Sequence, residues 1–371
     1  MNKYKNMNKK WWSLFIIAIV AVVVLVVSQG NFTGSRDEKT LNLLGWIGYD
    51  EEALIKPFEE KYGVKVNVKT YIGADEMFSI MSQTRGEYDL LVIDPEFIEK
   101  LYSAGRLQKL NPSDYDFSNF LEPFKNLPTA YINDDLYAVV IRYGSNALVY
   151  NTKYFTPQEV ASYDVLWSEK ANGKIGMWDW YLPSMGVLSM ANGNSANPYQ
   201  ITNSQFESLR QKLESLRPRV RTITGSLADL KQAFANEDII IAPGVGNELA
   251  AYDLKKQGLP VEATVPREGG VMWIETLGIP NDSKNPELAK KFIQYAMSPE
   301  AQATLATLKA YVSGVPSVES LKILNAEEKR LLQMESPQQM TGFVNKLFVR
   351  ELPKNQTEAE WQSVWENFKV R

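Results

Sequence analysis

The segment MWDWYLPSMG, residues 177–186, crowds Trp178, Trp180 and Tyr181 around one acid, Asp179, and follows them with Pro183 and Gly186. Aromatic faces attract cations and pack on alkyl chains, and a carboxylate anchors an ammonium group. Such density beside two helix breakers predicts an irregular stretch that packs some of its aromatics and directs one or two at a ligand, with Asp179 either capping a helix or pointing into the cleft. The same pairing of ring and charge recurs elsewhere. Trp46 and Tyr49 follow an apolar run and offer a platform for a cation or an alkyl chain. Trp273 and Glu275 alternate with Ile274 and Thr276, so on a strand they share one face. Burying Glu275 unpaired would be costly, which predicts a charged partner or a wet cleft there. Asp94 ends an apolar run just before Pro95 and Glu96, where it can cap a helix or reach a ligand. Glu96 would sit in the first helical turn, favoured by the helix dipole, or join Asp94 at the ligand. Arg142, inside the apolar AVVIRYG, needs a partner. That partner is either a carboxylate of the chain or a carboxylate on the ligand, which would make the ligand a zwitterion.

Composition narrows the chemistry further. The 371 residues include no cysteine and no histidine. Disulfides, thiol nucleophiles, Ser–His–Asp triads and the commonest transition-metal ligands are therefore excluded. No metal site, no cofactor and no catalytic residue is expected. A net charge of -4 gives no electrostatic basis for holding nucleic acid. The enzyme class left standing is a carboxylate-dependent glycoside hydrolase, with Glu275 paired to Asp94 or Asp179. It requires two carboxyls at a fixed separation, which a hinged body would not hold. Gly244 and Gly246 before a helix start resemble an anion-binding turn only loosely.

These residues must be positioned by alternating elements. Residues 41–46 read as a buried strand, 51–63 as an amphipathic helix and 64–72 as an alternating strand. Residues 75–84 are helical, 88–94 form an apolar strand, and 95–105 form a helix with proline at its first position. This succession specifies a mostly parallel sheet covered by helices. A second α/β unit follows, with a helix at 227–238, a strand at 239–244 and a helix at 247–258. It is flanked by two long extended runs, 135–151 with Gly144 at a bend, and 271–280. The chain is expected to cross between two lobes at both runs, giving a hinged body that closes on a small ligand. Helices at 285–297 and 298–310 come next, the latter capped by Ser298 with Pro299 first. The tail from Ser320 reads as helical and polar.

The N-terminus has a different character. Four lysines between positions 3 and 10 precede an uncharged run from Trp11 to Val27. That run is short for a membrane span and suits the apolar core of a signal peptide. A cut after Gly30 is favoured over a retained inner-membrane anchor, and either places the body in the periplasm.

Four segments, taken in order, resemble the polyamine-binding periplasmic proteins of ABC importers, the spermidine/putrescine-binding family. They are GWIGYDEEALIKPFEEKYGVKVNVKTY, YDLLVIDPEFIEKLYSAGRLQKL, IRYGSNALVYN and VPREGGVMWIETLGIP. The similarity runs from Leu41 to about Ser317. It implies a two-lobe type II periplasmic binding protein fold, each lobe a mostly parallel sheet flanked by helices and joined by strand hinges. After a signal or anchor at 1–30 and a linker at 31–40, lobe 1 would comprise 41–143 and 274–318. Lobe 2 would comprise 144–273 and 319–371. The resemblance also implies capture of a small amine, delivery to an inner-membrane permease or report to a membrane sensor, and a monomer. It places Trp46 and Tyr49 beside the ligand, with Trp273 stacking on its alkyl chain and Glu275 anchoring an ammonium. Departures fall at Asp94 and Glu96, where the family has a small hydroxyl residue and an aromatic. They also fall at Trp180 and Pro183, where it has an acidic pair. The ligand expected is therefore a cationic or zwitterionic amine.

Overall fold

A computed structural model of the chain describes residues 39–370. The signal or anchor segment lies outside the described residues. No helix among the described residues is long and apolar enough to cross a membrane.

The frame is one curled sheet with two shared strands at its centre. The strands are β1 (Lys39–Gly45), β2 (Val64–Thr70), β3 (Leu90–Ile93), a short hairpin β4 (Tyr131–Ile132) and β5 (Asp135–Leu136), and β6 (Ala138–Asn151). They continue with β7 (Ile175–Trp178), β8 (Val220–Thr224), β9 (Ile241–Val245), β10 (Val261–Thr264), β11 (Gly270–Gly278) and β12 (Leu347–Val349). The order across the main sheet is β2-β1-β3-β11-β6-β9-β7-β8, with β10 beside β6 and β12 beside β11. Strand β6 is buried along all 14 residues and β11 along all 9, as expected of strands covered on both faces. The two run antiparallel from Gly278↔Ala138 to Val271↔Asn146, with an irregularity between Glu275 and Thr276. One end of β11 pairs with β3, while the other end of β6 pairs with β9 and β10. Each lobe is thus a mixed, mostly parallel sheet, and β6 and β11 pass between them.

Packing follows this division. One apolar cluster gathers Leu43, Phe58, Val92 and Phe292 around the first lobe. Another gathers Met177, Met185, Tyr199 and Leu213 around the second. The tail contributes to both. Leu331, Leu332, Met340 and Val344 join the first cluster, and Trp361, Trp365 and Phe368 join the second.

Two expectations are corrected. The dense segment 177–186 is regular: Trp178 closes β7 and Tyr181 opens the helix Tyr181–Ala191. Pro183 is the third residue of that helix, where backbone N–H groups have no intrahelical partner, so its missing donor costs nothing. Gly186 is required by close approach, since a Cβ there would stand 2.1 Å from the Tyr199 hydroxyl. The tail is not simply helical and polar either. It contains strand β12, and its last helix, Glu358–Val370, buries Trp361, Trp365 and Phe368.

Candidate functional site

The candidate residues lie just past β1, β3 and β7 and within β6 and β11, and they form two linked knots and an outer groove. The first knot is built on the hinge strands. Register sets Glu275 opposite Arg142 and Trp273 opposite Gly144. Glu275 accepts hydrogen bonds from Tyr49 Oη at 2.6 Å and Tyr311 Oη at 2.5 Å. Arg142 Nε stands 3.6 Å from Glu275 Oε2, and its Nη2 donates to the Tyr311 carbonyl at 2.9 Å. The guanidinium carbon is 4.3 Å from the Tyr311 ring centre. Arg142 is 0% exposed and Glu275 4%, so this is a buried ion pair held by two phenols. Burial, reinforced by Glu275, holds both tyrosine hydroxyls well above their ordinary titration range. Burial alone would pull Arg142 down, but Glu275 overrules it and the guanidinium stays charged. Gly144 is required here: a Cβ would lie 2.3 Å from Trp273 Cζ2, so the indole rests directly on the backbone.

The second knot is built on the end of β3. Asp94 does not cap the turn that follows, for its side chain makes no capping bond. It accepts instead from Trp46 Nε1 at 3.0 Å and from Arg350 Nη2 at 2.6 Å. Glu96 accepts from Nε of the same arginine. Burial, opposed by Arg350, pushes both carboxyls up, and the neighbouring Glu96 adds to the rise at Asp94. Arg350 follows β12, which pairs in parallel with Gly270–Met272 of β11, and its own N–H bonds the Met272 carbonyl at 2.9 Å. Its guanidinium carbon lies 4.4 Å from the ring centre of Trp180, which comes from the second lobe. Trp46 of the first lobe reaches the same ring, with centroids 6.2 Å apart. Thr276 of β11 pairs with Ile93, so the register carries Glu275 toward Asp94 and brings the two knots together.

The outer groove, about 630 Å³, is lined by Trp46, Phe78, Trp178, Trp180, Tyr181 and Asp179 among others. Asp179 accepts from Trp365 Nε1 at 2.9 Å and lies 3.0 Å from Lys369 Nζ, both on the last helix. Across the groove, Lys100 of the first lobe pairs with Glu358 at the start of that helix at 2.5 Å.

Of the ten residues singled out by sequence, Tyr49, Arg142, Trp273 and Glu275 meet in the first knot. Trp46, Asp94, Glu96 and Trp180 meet in the second. Asp179 and Tyr181 line the groove, with Trp46 and Trp180 forming its inner wall. Sequence reasoning missed Tyr311 and Arg350. The apolar LFV run just before Arg350 was the available signal of a strand delivering it. Among the described residues no cluster of acids could hold a metal ion.

A family described as bacterial extracellular solute-binding protein matches residues 53–330. The spermidine/putrescine-binding periplasmic protein of Escherichia coli (strain K12) is 27% identical over 334 residues, covering 86% of this chain and 88% of that protein. The substrate-binding protein of a spermidine/putrescine ABC transporter from Streptococcus pneumoniae superposes with a TM-score of 0.74 at 21% identity, covering 90% of this chain and 99% of that one. A periplasmic binding protein from A. tumefaciens B6, in complex with glucopine, gives 0.67 at 15% identity, covering 90% and 99%. At these identities the structures share the fold, and one fold carries ligands of different chemistry.

Proposed function

The chain belongs to the bacterial extracellular solute-binding proteins, and from that premise we propose that it captures a small cationic or zwitterionic amine between its lobes. We further propose that it hands this ligand to the inner-membrane permease of an ABC importer. The family is one of binding proteins rather than enzymes. The Escherichia coli relative is a spermidine/putrescine-binding protein, which supports an amine as the ligand class.

One observation carries the reading. Asp94 and Glu96 are buried just past the end of β3 and Glu275 within β11, and Trp46 and Trp180 close over them from opposite lobes. Buried acids favour a cation, and aromatic walls favour its alkyl chain. A carboxylate offers about four acceptor positions, so Glu275 can receive a ligand N–H besides its two phenols. Lobe 1 (41–143, 274–318) and lobe 2 (144–273, 319–371) would rotate about β6 and β11, with the interlobe contacts formed on closure. In this account the ten residues named from sequence, joined by Tyr311 and Arg350, surround the ligand.

The test is a thermal-shift panel on protein stripped of ligand by unfolding and refolding. It would hold putrescine, spermidine, agmatine, basic amino acids, betaines and sugars. A ligand at a hundred times its Kd stabilises by about 2.7 kcal/mol, which shifts the melting temperature visibly. Stabilisation by at least one amine and by no sugar is expected. Stabilisation by sugars alone would overturn the reading.

A further inference from the structure

Each carboxylate buried in the cleft already has a cation from the chain itself. Glu275 has Arg142, and Asp94 and Glu96 share Arg350. Arg350 is 2% exposed and lies against the face of Trp180, the arrangement by which an aromatic wall takes up a ligand cation. It is also held independently of any ligand. The pairing of β12 with β11, and the bond from its own N–H to the Met272 carbonyl, bring the guanidinium between the two acids.

We propose that Arg350 is a specificity-determining residue, a tethered cation that fills the ammonium position formed by Asp94, Glu96 and Trp180. The cleft then accepts amines with a single ammonium group and discriminates against linear di- and triamines. The inference rests on the amine-capture reading above. Glu275 keeps acceptor positions open for one ammonium, while the place beside Asp94 and Glu96 is already taken by the Arg350 guanidinium. A second ammonium would meet no free carboxylate, and an unpaired charge in a buried site is strongly disfavoured.

The experiment is calorimetric titration of ligand-stripped protein with butylamine, putrescine and spermidine. Butylamine and putrescine share one four-carbon chain and differ by the second ammonium. The wild type is expected to bind butylamine at least as tightly as putrescine. R350Q frees Asp94 and Glu96, and should raise affinity for putrescine and spermidine at least tenfold relative to butylamine. That variant leaves two buried acids without a partner, so E96Q/R350Q is measured beside it. The double variant keeps the net charge of the wild-type cleft and should show the same reversal. Wild-type protein that binds putrescine tenfold tighter than butylamine overturns the inference and leaves amine capture intact. So does an unchanged affinity ratio in the folded double variant. Absence of binding by all three amines to all three proteins overturns the inference, and together with a thermal panel in which no amine or zwitterion stabilises the protein it overturns both.

Discussion

Glu275→Gln is the perturbation whose outcome the structure specifies most fully. Glu275 is 4% exposed and compensates Arg142, which is 0% exposed. Gln keeps the shape but removes the charge, leaving a guanidinium whose remaining bond is to the Tyr311 carbonyl. Breaking a buried pair from one side costs about 3–5 kcal/mol, because the other charge stays buried. Tyr49 and Tyr311 donate to different oxygens of the carboxylate, so the single amide oxygen of Gln keeps one of these bonds at roughly half its strength, and the amide NH2 puts a donor where the other phenol had an acceptor. Reading the Glu275 carboxylate from sequence as a ligand anchor alone would leave the stability of the ligand-free protein untouched. The geometry predicts a substantial loss. For a chain of this size each kcal/mol moves Tm by about 2 °C, so the fall is on the order of 6–10 °C. The assay is thermal unfolding of ligand-free protein by circular dichroism. R142M and R142M/E275Q complete a double-mutant cycle. The double variant should lose much less than the sum of the singles, since it removes both charges. Amine affinity of E275Q should fall at least tenfold, about 1.4 kcal/mol. A ligand-free Tm within 1–2 °C of wild type, roughly the shift of a surface substitution, would refute the reasoning. Additive losses in the cycle would do the same.

Further expectations concern the hinge and the groove. Glu248 accepts from the Ser145 N–H and hydroxyl, and burial, opposed by those bonds, holds its carboxyl up at about 7. The folded chain then keeps a proton that the unfolded chain loses, so the contribution of Glu248 to stability falls as pH rises from about 4.5 to about 7 and is level above. Melting curves across this range should show E248Q with a shallower slope than wild type, and equal slopes would contradict the assignment. Gly144→Ala drives a Cβ to within 2.3 Å of the Trp273 ring. It should cost about 1–3 kcal/mol by overpacking and weaken amine binding, as denaturant titration and calorimetry would register. Lys100→Ala removes a half-exposed pair across the groove, which is worth about 1 kcal/mol or less. It should leave ligand-free Tm unchanged while speeding amine dissociation by up to about fivefold, measured by stopped-flow fluorescence.

Much of the frame was legible because it is local. Alternation and apolar runs marked β1, β2, β3, β6 and β11, while Gly144, expected at a bend, is required where the Trp273 ring lies on the backbone. The pairing of Trp273 with Glu275 followed from strand periodicity alone. What stayed hidden depends on partners distant in the chain. Glu96 and Arg350 are 254 residues apart, and nothing near Asp94 signals that its carboxylate will face a guanidinium instead of capping a turn. The three-residue strand that delivers Arg350 is too short to show a period, so its polar surroundings dominated the reading. Residues 177–186 misled for another reason. Proline and glycine read as breakers in the sequence, yet each is harmless or required once the helix start and Tyr199 are in place.

The most direct test of the whole account is a crystal structure of the protein with the amine that stabilises it most in the thermal panel. The account predicts the ligand between the lobes, its ammonium within hydrogen-bond reach of Glu275 and its carbon chain against Trp273 and Trp46. An amine bound outside the cleft, or one that leaves Glu275 with only Tyr49, Tyr311 and Arg142, would contradict it.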